Sequence, residues 1–317
     1  MSSLPTADDV IDYFKSLSNW GRWGDDDRLG TLNLITPEVR GAAAALVRTG
    51  QVVSLSRDID PGGPQDPLGS GLGQAMRFMG IGEVSHHAGK GASRFDAVTE
   101  SVFISAHGSN THLDGLAHYS WEGQNYNGFS VDEHVTSLGG SSKLSIHDAS
   151  DGIVTRGVLL DVAALKGVPW LEPGTAILPE DLVAAEERQG VTVRSGDALL
   201  VHTGHVARTL SQGVDPEHHQ PGLHAACLPF LRDRDVAALG SDCIHDVQPS
   251  GFDSFELFRP VHLVGLVALG LWLVDNMELT ELAATCAAEQ RSEFFFAMLP
   301  WRMVGVTSSA TNPIALF

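Results

Sequence analysis

Apolar residues recur along the chain with two spacings, one typical of helices and the other of strands. Val10, Phe14 and Leu17 follow acidic residues at near-helical spacing, which favours a short amphipathic helix. Pro37 before an alanine-rich run and Gly50 after it mark the start and stop of another helix. The patterns predict helices over residues 8–17, 36–47, 179–190, 221–232, 261–270 and 279–290.

Strand-like segments alternate with these helices. Uninterrupted apolar runs such as residues 157–162 and 197–204 are typical of strands buried on both faces. The strands are predicted over residues 51–59, 100–106, 157–162, 197–204, 235–240, 271–276 and 294–299.

The segments between these elements show neither an internal repeat nor a linker. Residues 61–74 contain five glycines and three prolines, so we expect a long surface loop that is either a lid or simply disordered. Residues 309–313 are expected to form a turn near the C-terminus. We therefore expect a single domain over residues 1–317, with an N-terminal helical extension of about residues 1–18.

Composition narrows the function classes. A net charge of -19, with only 20 lysines and arginines, argues against nucleic-acid binding because phosphate neutralisation needs a basic face. Cys227, Cys243 and Cys286 lack a paired spacing, which predicts buried thiols in a reducing compartment. The first ten residues lack the basic start and apolar run of a secretory signal, so we expect a cytoplasmic location. The longest apolar run, residues 261–274, is shorter than the roughly 18 residues of a spanning helix, so no membrane association is expected.

Residues 107–118 concentrate His107, His112, Asp114 and His118 in one short segment. Side chains alternate faces along an extended backbone, so His112 and Asp114 can present their donors on the same side. Nitrogen and oxygen donors of this kind suit zinc, manganese or iron. His107 is five residues before His112 and would point the other way in a regular strand. With 14 histidines in the chain, chance clustering is the competing interpretation.

Other polar residues could contribute to the same site. His262 within an apolar segment and Asp275 at a strand end are candidates to complete a metal site. His202 and His205 end another strand and could face a site or lie on the surface. Trp20 and Trp23, in a glycine-rich loop, could wall a substrate pocket or pin the loop onto the core.

The segment from His112 to His118, combined with His262 and residues 273–279, resembles the metal-dependent cyclase family, which includes bacterial kynurenine formamidase and isatin hydrolase. Similarity extends from about Asn19 to the C-terminus. The resemblance implies an α/β swivelling β/β/α domain with a mixed central sheet, usually assembled into homodimers or larger homo-oligomers. The predicted alternation of helices and strands is compatible with that fold.

The resemblance also implies site roles. His112 and Asp114 match metal ligands of the family, and His118 matches its acid-base histidine. The first family histidine would fall at Gly108, one residue after His107. The later ligands resemble His262 and Asp275, with aspartate in place of the family's glutamate.

The expected activity follows from these roles. A zinc or manganese ion would activate water for hydrolysis of a carbonyl C–N bond in a formamide or cyclic amide, with His118 moving the proton. Lactone hydrolysis at the same site is one alternative, and a non-catalytic metal-binding or scaffold protein is another. The expected partner is a small-molecule substrate, with neither nucleic acid nor membrane involved.

Overall fold

The computed structural model describes residues 4–59, 76–81 and 98–317. Its α-helices are α1 (Ala7–Ser16), α2 (Pro37–Ala44), α3 (Val131–His134), α4 (Val162–Lys166), α5 (Pro179–Gln189), α6 (His205–Gln212), α7 (Leu228–Asp233), α8 (Pro260–Val264) and α9 (Thr280–Glu289). Short 3₁₀ helices cover Gly30–Leu34, Tyr126–Gly128, Ile146–Ala149, Ala225–Cys227 and Phe255–Leu257, and a π-helix covers Gly265–Leu269.

The strands alternate with these helices. They are β1 (Val52–Ser54), β2 (Met76–Ile81), β3 (Val98–Phe103), β4 (His112–Asp114), β5 (Val135–Thr136), β6 (Gly140–Ser141), β7 (Ile153–Asp161), β8 (Ala176–Ile177), β9 (Ala198–His202), β10 (Gly222–Leu223), β11 (Ala238–Ser241), β12 (Trp272–Asp275), β13 (Glu293–Met298), β14 (Ser308–Ala310) and β15 (Ile314–Leu316).

Nine of the described strands form one mixed sheet in the order β1-β15-β13-β7-β9-β11-β12-β4-β14. The central strands β7, β9, β11 and β12 are parallel, and the flanking pairs are antiparallel. β9, β11 and β12 are buried along their whole length, as their apolar sequences predict for strands covered on both faces. All carboxyl ends of the parallel strands therefore meet at one edge, where ligand sites of α/β sheets usually lie.

Local sequence signals account for several helix ends. Thr6 accepts a hydrogen bond from the backbone N–H of Asp9, whose carboxylate accepts one from the backbone N–H of Thr6, so the two residues form a capping box at the start of α1. α5 begins with Pro179 and ends before Gly190, which adopts the left-handed conformation that glycine favours. These helices match the predicted ones within one or two residues.

Several predicted elements differ from the structure. The predicted helix over residues 221–232 is wrong in its first turn, because Gly222–Leu223 form β10 beside β8 and the α-helix begins at Leu228. The turn predicted over residues 309–313 is shorter in the structure, because residues 309 and 310 belong to β14 and β15 begins at Ile314. The predicted strand over residues 51–59 is shortened to β1. The long loop predicted for residues 61–74 lies outside the described residues.

The loop after α1 packs against the end of the π-helix. Gly270 has a φ of +65°, and a Cβ there would lie 2.5 Å from the ring of Tyr126, so both conformation and space require glycine. The backbone N–H of Thr31 donates to the Gly270 carbonyl. The indole N–H of Trp20 donates to the carbonyl of Val267, within the π-helix. This packing fixes the segment that follows His262.

All three cysteines are buried free thiols, as predicted. Within the described ranges, every helix is too short or too polar to cross a membrane.

Candidate metal centre

The predicted ligands meet at the edge where the parallel strands end. In the antiparallel pair of β12 and β4, Asp275 lies directly opposite His112, and Leu273 lies opposite Asp114. Period-two alternation places His112 and Asp114 on one face of β4. The strand register therefore brings Asp275 to the cluster, although 160 residues of chain separate it from Asp114.

One group of donors surrounds the first oxygen of Asp114. His107 Nδ1 lies 3.0 Å from Asp114 Oδ1, and His112 Nε2 lies 3.6 Å from the same oxygen. The three donor atoms lie within 4.8 Å of one another. His107 reaches this position because residues 104–111 lie between β3 and β4 and form no strand, so strict alternation does not apply to them.

A second group surrounds the other oxygen. His262 Nε2 lies 3.8 Å from Asp114 Oδ2 and 3.2 Å from Asp275 Oδ2. These three donor atoms also lie within 4.8 Å of one another. Asp114 therefore belongs to both groups, with one oxygen facing each.

Asp246, on the loop after β11, holds His262 in place. Its carboxylate accepts hydrogen bonds from the backbone N–H groups of Val261 and His262 and from His262 Nδ1, at 2.6, 3.2 and 2.6 Å. With a proton on Nδ1, the Nε2 atom of His262 is left to face Asp114 and Asp275. Such an orienting carboxylate is typical of histidines that bind metals.

His118 occupies a more open position than His112 and His262, and only His107 of the cluster is more exposed. Its Nε2 lies 3.7 Å from Asp114 Oδ2, and its ring stacks on that of His107 with centroids 3.9 Å apart. The His118 side chain is 27% exposed, against 6% for His112 and 0% for His262. Burial lowers the pKa of His118 to about 4, against the opposing effect of Asp114, so its imidazole is neutral at pH 7 and can accept a proton.

Buried polar atoms that lack hydrogen-bond partners indicate that these residues fit a cation. Among the described residues, His107 Nδ1, Asp114 Oδ1 and Asp275 Oδ1 have no hydrogen-bond partner. A buried carboxylate oxygen without a hydrogen-bond partner destabilises the folded protein, and a cation bound between such oxygens would remove this destabilisation. Nitrogen and carboxylate donors at these separations suit a divalent cation such as zinc or manganese.

The electrostatics of the cluster also favour a cation. Burial would raise the pKa of Asp114, but the nearby histidines, His118 foremost, outweigh it and hold the pKa of that carboxyl well below its usual range. Burial likewise opposes ionisation of Asp275, and His262 lowers its pKa to about 2. Burial would lower the pKa of His262, but Asp275 and Asp246 raise it well above the usual value. The negative charge of Asp275 and Asp246 favours a proton on His262, and it would equally favour a divalent cation in place of that proton.

Other residues considered in the sequence lie apart from both groups. Trp23 stacks with the guanidinium of Arg22, and Trp20 is anchored through its indole N–H as described above. Their role as substrate walls stays a prediction. His202 and His205 are buried rather than on the surface, and His202 Nδ1 lies 3.0 Å from Asp161.

Sequence reasoning assigned no metal-site role to two residues of the site. Asp246 and His245 lie in residues 241–246, which the sequence predicts only as a polar strand end that could line a pocket. His245 is fully buried beside Asp275, with Nε2 3.1 Å from Asp275 Oδ1.

Comparison with known proteins places the chain in a family. A family model described as putative cyclase matches residues 40–245. A solved structure described as a novel cyclase is 31% identical, with the alignment covering 96% of this chain and 99% of that chain at a TM-score of 0.84. The chain belongs to the cyclase family.

More distant cyclase-like structures share the fold. Isatin hydrolase A from Ralstonia solanacearum is 20% identical, with 87% of this chain and 94% of that chain covered at a TM-score of 0.53. Isatin hydrolase A from Labrenzia aggregata, solved with benzyl benzoate, is 17% identical. The alignment covers 88% of this chain and 96% of that chain at a TM-score of 0.55. No curated protein matches the chain significantly.

The family and the α/β fold class with a mixed central sheet are thus confirmed. Within this fold, the two His/Asp groups are candidate sites for a divalent metal ion.

Proposed function

We propose that this cyclase-family protein hydrolyses a carbonyl C–N bond in a formamide or cyclic amide, with a divalent cation bound at Asp114. The observation that carries the proposal is the division of the two Asp114 oxygens between two groups of donors, one with His107 and His112 and one with His262 and Asp275. Zinc or manganese is the expected cation, and a homodimer or larger homo-oligomer is the expected assembly.

A bound divalent cation would supply a water ligand with a pKa near neutrality and would stabilise negative charge on the substrate carbonyl oxygen. His107, His112 and Asp114 would hold a cation at the first group of donors, and Asp114, His262 and Asp275 would hold one at the second. Because Asp246 orients His262, that histidine needs little rearrangement to present Nε2.

His118 carries the proton in this proposal. Its neutral ring accepts a proton while water attacks the carbonyl carbon, and then returns that proton to the leaving nitrogen as the C–N bond breaks. Partial exposure allows His118 to reach substrate, whereas the buried His112 and His262 are enclosed among ligands.

Turnover of a substrate panel tests the proposal. Purified protein is loaded with zinc or with manganese and is offered an N-formyl aromatic amine, isatin and a set of lactones. Hydrolysis of an amide that stops with a chelator and returns with the metal supports the proposal. Hydrolysis of lactones alone would replace amide specificity with C–O bond cleavage. Bound metal without turnover of any amide or ester would favour a binding protein, and absence of bound metal would contradict both enzyme assignments.

Asp246→Asn is expected to weaken cation binding by about 10–100-fold, because His262 would lose the carboxylate that orients it. Calorimetric titration of metal-free protein measures this affinity. The matched control is Asp242→Asn. Asp242 is also buried after β11, but it accepts hydrogen bonds from Thr203 and His205 backbone N–H groups rather than from a cluster histidine. Equal loss of affinity in both variants would contradict the orienting role of Asp246.

A further inference from the structure

We propose that Arg259 binds a carboxylate group of the substrate, so that the amide hydrolysed at the metal centre is an anion. The inference rests on the proposed function, because it places the carboxylate beside the bond that a metal-activated water would attack. Arg259 immediately precedes α8, the short helix that carries His262. Its backbone therefore lies on the same segment as a candidate metal ligand.

Tyr119 lies between the residues of the metal centre and Arg259. Its ring is edge-on to the His118 ring, with centroids 4.7 Å apart, and its centroid is 5.6 Å from that of His262. A substrate whose leaving nitrogen reaches His118 must therefore lie next to Tyr119. The neighbours of Tyr119 on its other sides are candidates to bind the rest of that substrate.

Arg259 is one of these neighbours, and it is also close to the carboxylates of the cluster. Burial would lower the pKa of Arg259, but Tyr119, Asp275 and Asp246 outweigh burial and raise that pKa. The guanidinium therefore stays charged, within electrostatic reach of the metal centre.

The Arg259 guanidinium lacks a carboxylate partner. Its Nε atom is shielded from solvent without a hydrogen-bond partner, and the side chain forms no ion pair within the part of the chain that the structure describes. By contrast, Arg156 lies 2.6 Å from carboxylate oxygens of Asp197 and Glu293. A shielded N–H donor without an acceptor destabilises the protein, so an acceptor from a ligand would be favourable. Carboxylates match the planar fork of a guanidinium.

Aromatic side chains adjoin this guanidinium. The Phe258 ring centroid lies 5.6 Å from the Cζ atom of Arg259, and the Phe258 side chain is 51% exposed. Phe255, on the same segment, is 94% exposed. Exposed rings beside a guanidinium suit a ligand that carries its carboxylate on an aromatic ring.

The charge of the centre makes this recognition depend on the metal. Asp114, Asp246 and Asp275 are buried carboxylates, and they would repel an anionic substrate from the unloaded protein. Divalent cations at the two donor groups would offset that negative charge, and Arg259 would then add to a positive site. We therefore expect an anionic substrate to bind the loaded protein only.

Two rival roles of Arg259 are to offset the negative charge of the cluster and to hold the start of α8. Arg259→Gln removes the charge, and Arg259→Lys keeps the charge but loses the fork. The matched control is Arg234→Gln. The Arg234 guanidinium also lies over a ring, 5.2 Å from the centroid of Phe230, but it pairs with Glu186 at 2.7 Å.

Kinetics of zinc-loaded protein compare 2-formamidobenzoate with its neutral methyl ester, with release of formate as the readout. Arg259→Gln is expected to raise KM for the acid by about 10–100-fold, the usual effect of losing charge-assisted hydrogen bonds. It should leave kcat for the acid and both constants for the ester within about threefold, since only ground-state binding of the carboxylate is lost. Arg259→Lys should lie between the two, and Arg234→Gln should match the wild type.

Calorimetric titration gives a second readout that does not need turnover. The same two compounds are titrated into His118→Ala protein, in which hydrolysis is slow, with and without zinc and with and without Arg259→Gln. The acid should bind more tightly than the ester, only with zinc, and about 10–100-fold more weakly after Arg259→Gln. An unchanged zinc content shows that each variant is folded.

The outcomes separate the roles. Equal losses for acid and ester in Arg259→Gln would overturn the inference in favour of a structural role, and so would an unchanged preference for the acid. Formate is also tested as an inhibitor, because the reaction itself releases that carboxylate. Weaker formate inhibition with an unchanged preference for the acid would assign Arg259 to product and overturn the inference.

The proposed function can fail separately. A wild type that hydrolyses neither compound nor any other amide would overturn the proposed function, while acid binding that is lost in Arg259→Gln would keep the carboxylate site. Binding of neither compound to the zinc-loaded protein would overturn the inference.

Discussion

Asp114→Asn is expected to remove both cations and to lower turnover by about 10³-fold or more. Asp114 is the residue shared by the two donor groups, with Oδ1 beside His107 and His112 and Oδ2 beside His262. An amide offers one neutral oxygen and a nitrogen that does not bind metal, so neither group keeps its carboxylate charge. The loss should exceed the 10–100-fold effect typical of residues that only orient ligands. Metal analysis and kinetics on the same preparation measure both effects.

Asp197→Asn is the control for loss of a buried carboxylate. Asp197 precedes β9, at the opposite edge of the sheet, and pairs with Arg156 at 2.6 Å. Weakening that pair should reduce stability while leaving the metal content unchanged. Two bound ions in Asp114→Asn would contradict the shared role of Asp114.

His118→Ala is expected to keep its metal and to lose turnover by about 10²–10⁴-fold, the usual contribution of a general acid-base residue. Its Nε2 is 3.7 Å from Asp114 Oδ2, and it belongs to neither group of donors. The metal content should therefore be independent of the His118 imidazole, whereas proton transfer should depend on it. Titration with zinc measures metal binding, and steady-state kinetics measure turnover.

His112→Ala provides the contrast for His118→Ala. His112 is buried and lies within 4 Å of carboxylate oxygens of both Asp114 and Asp275, so its loss should reduce metal content as well as turnover. Full activity in His118→Ala would remove it as the proton carrier. Unchanged metal content in His112→Ala would count against its role as a ligand.

Local patterns were sufficient to predict part of the site. Period-two alternation placed His112 and Asp114 on one face of an extended segment, and the structure confirms that face in β4. The apolar runs predicted the buried central strands because strands covered on both faces are apolar throughout. These inferences depend on neighbours in the sequence alone.

Long-range contacts account for what local patterns missed. Nothing in the segment around Asp275 shows that it pairs with His112, since strand register is set by contacts across the sheet. His107 would point away from His112 in a regular strand, but residues 104–111 form no strand, so side-chain alternation does not decide its orientation. His245 and Asp246 were recognisable as a polar strand end, but their position beside Asp275 and His262 required the fold.

Short helices show the same limit. The apolar segment over residues 261–270 was predicted as one helix, but it changes from α8 to a π-helix at Gly265 before the left-handed Gly270. In residues 221–232, pairing of β10 with β8 outweighed local helix preference. Tertiary contacts decide such short elements because their intrinsic preferences are weak.

Anomalous diffraction from crystals grown with manganese or zinc tests the central claim most directly. The account predicts two metal peaks on either side of Asp114, each about 2.0–2.3 Å from one of its carboxylate oxygens and about 3.5–4 Å from the other peak. Metal-loaded crystals without a peak within bonding distance of Asp114 would contradict it.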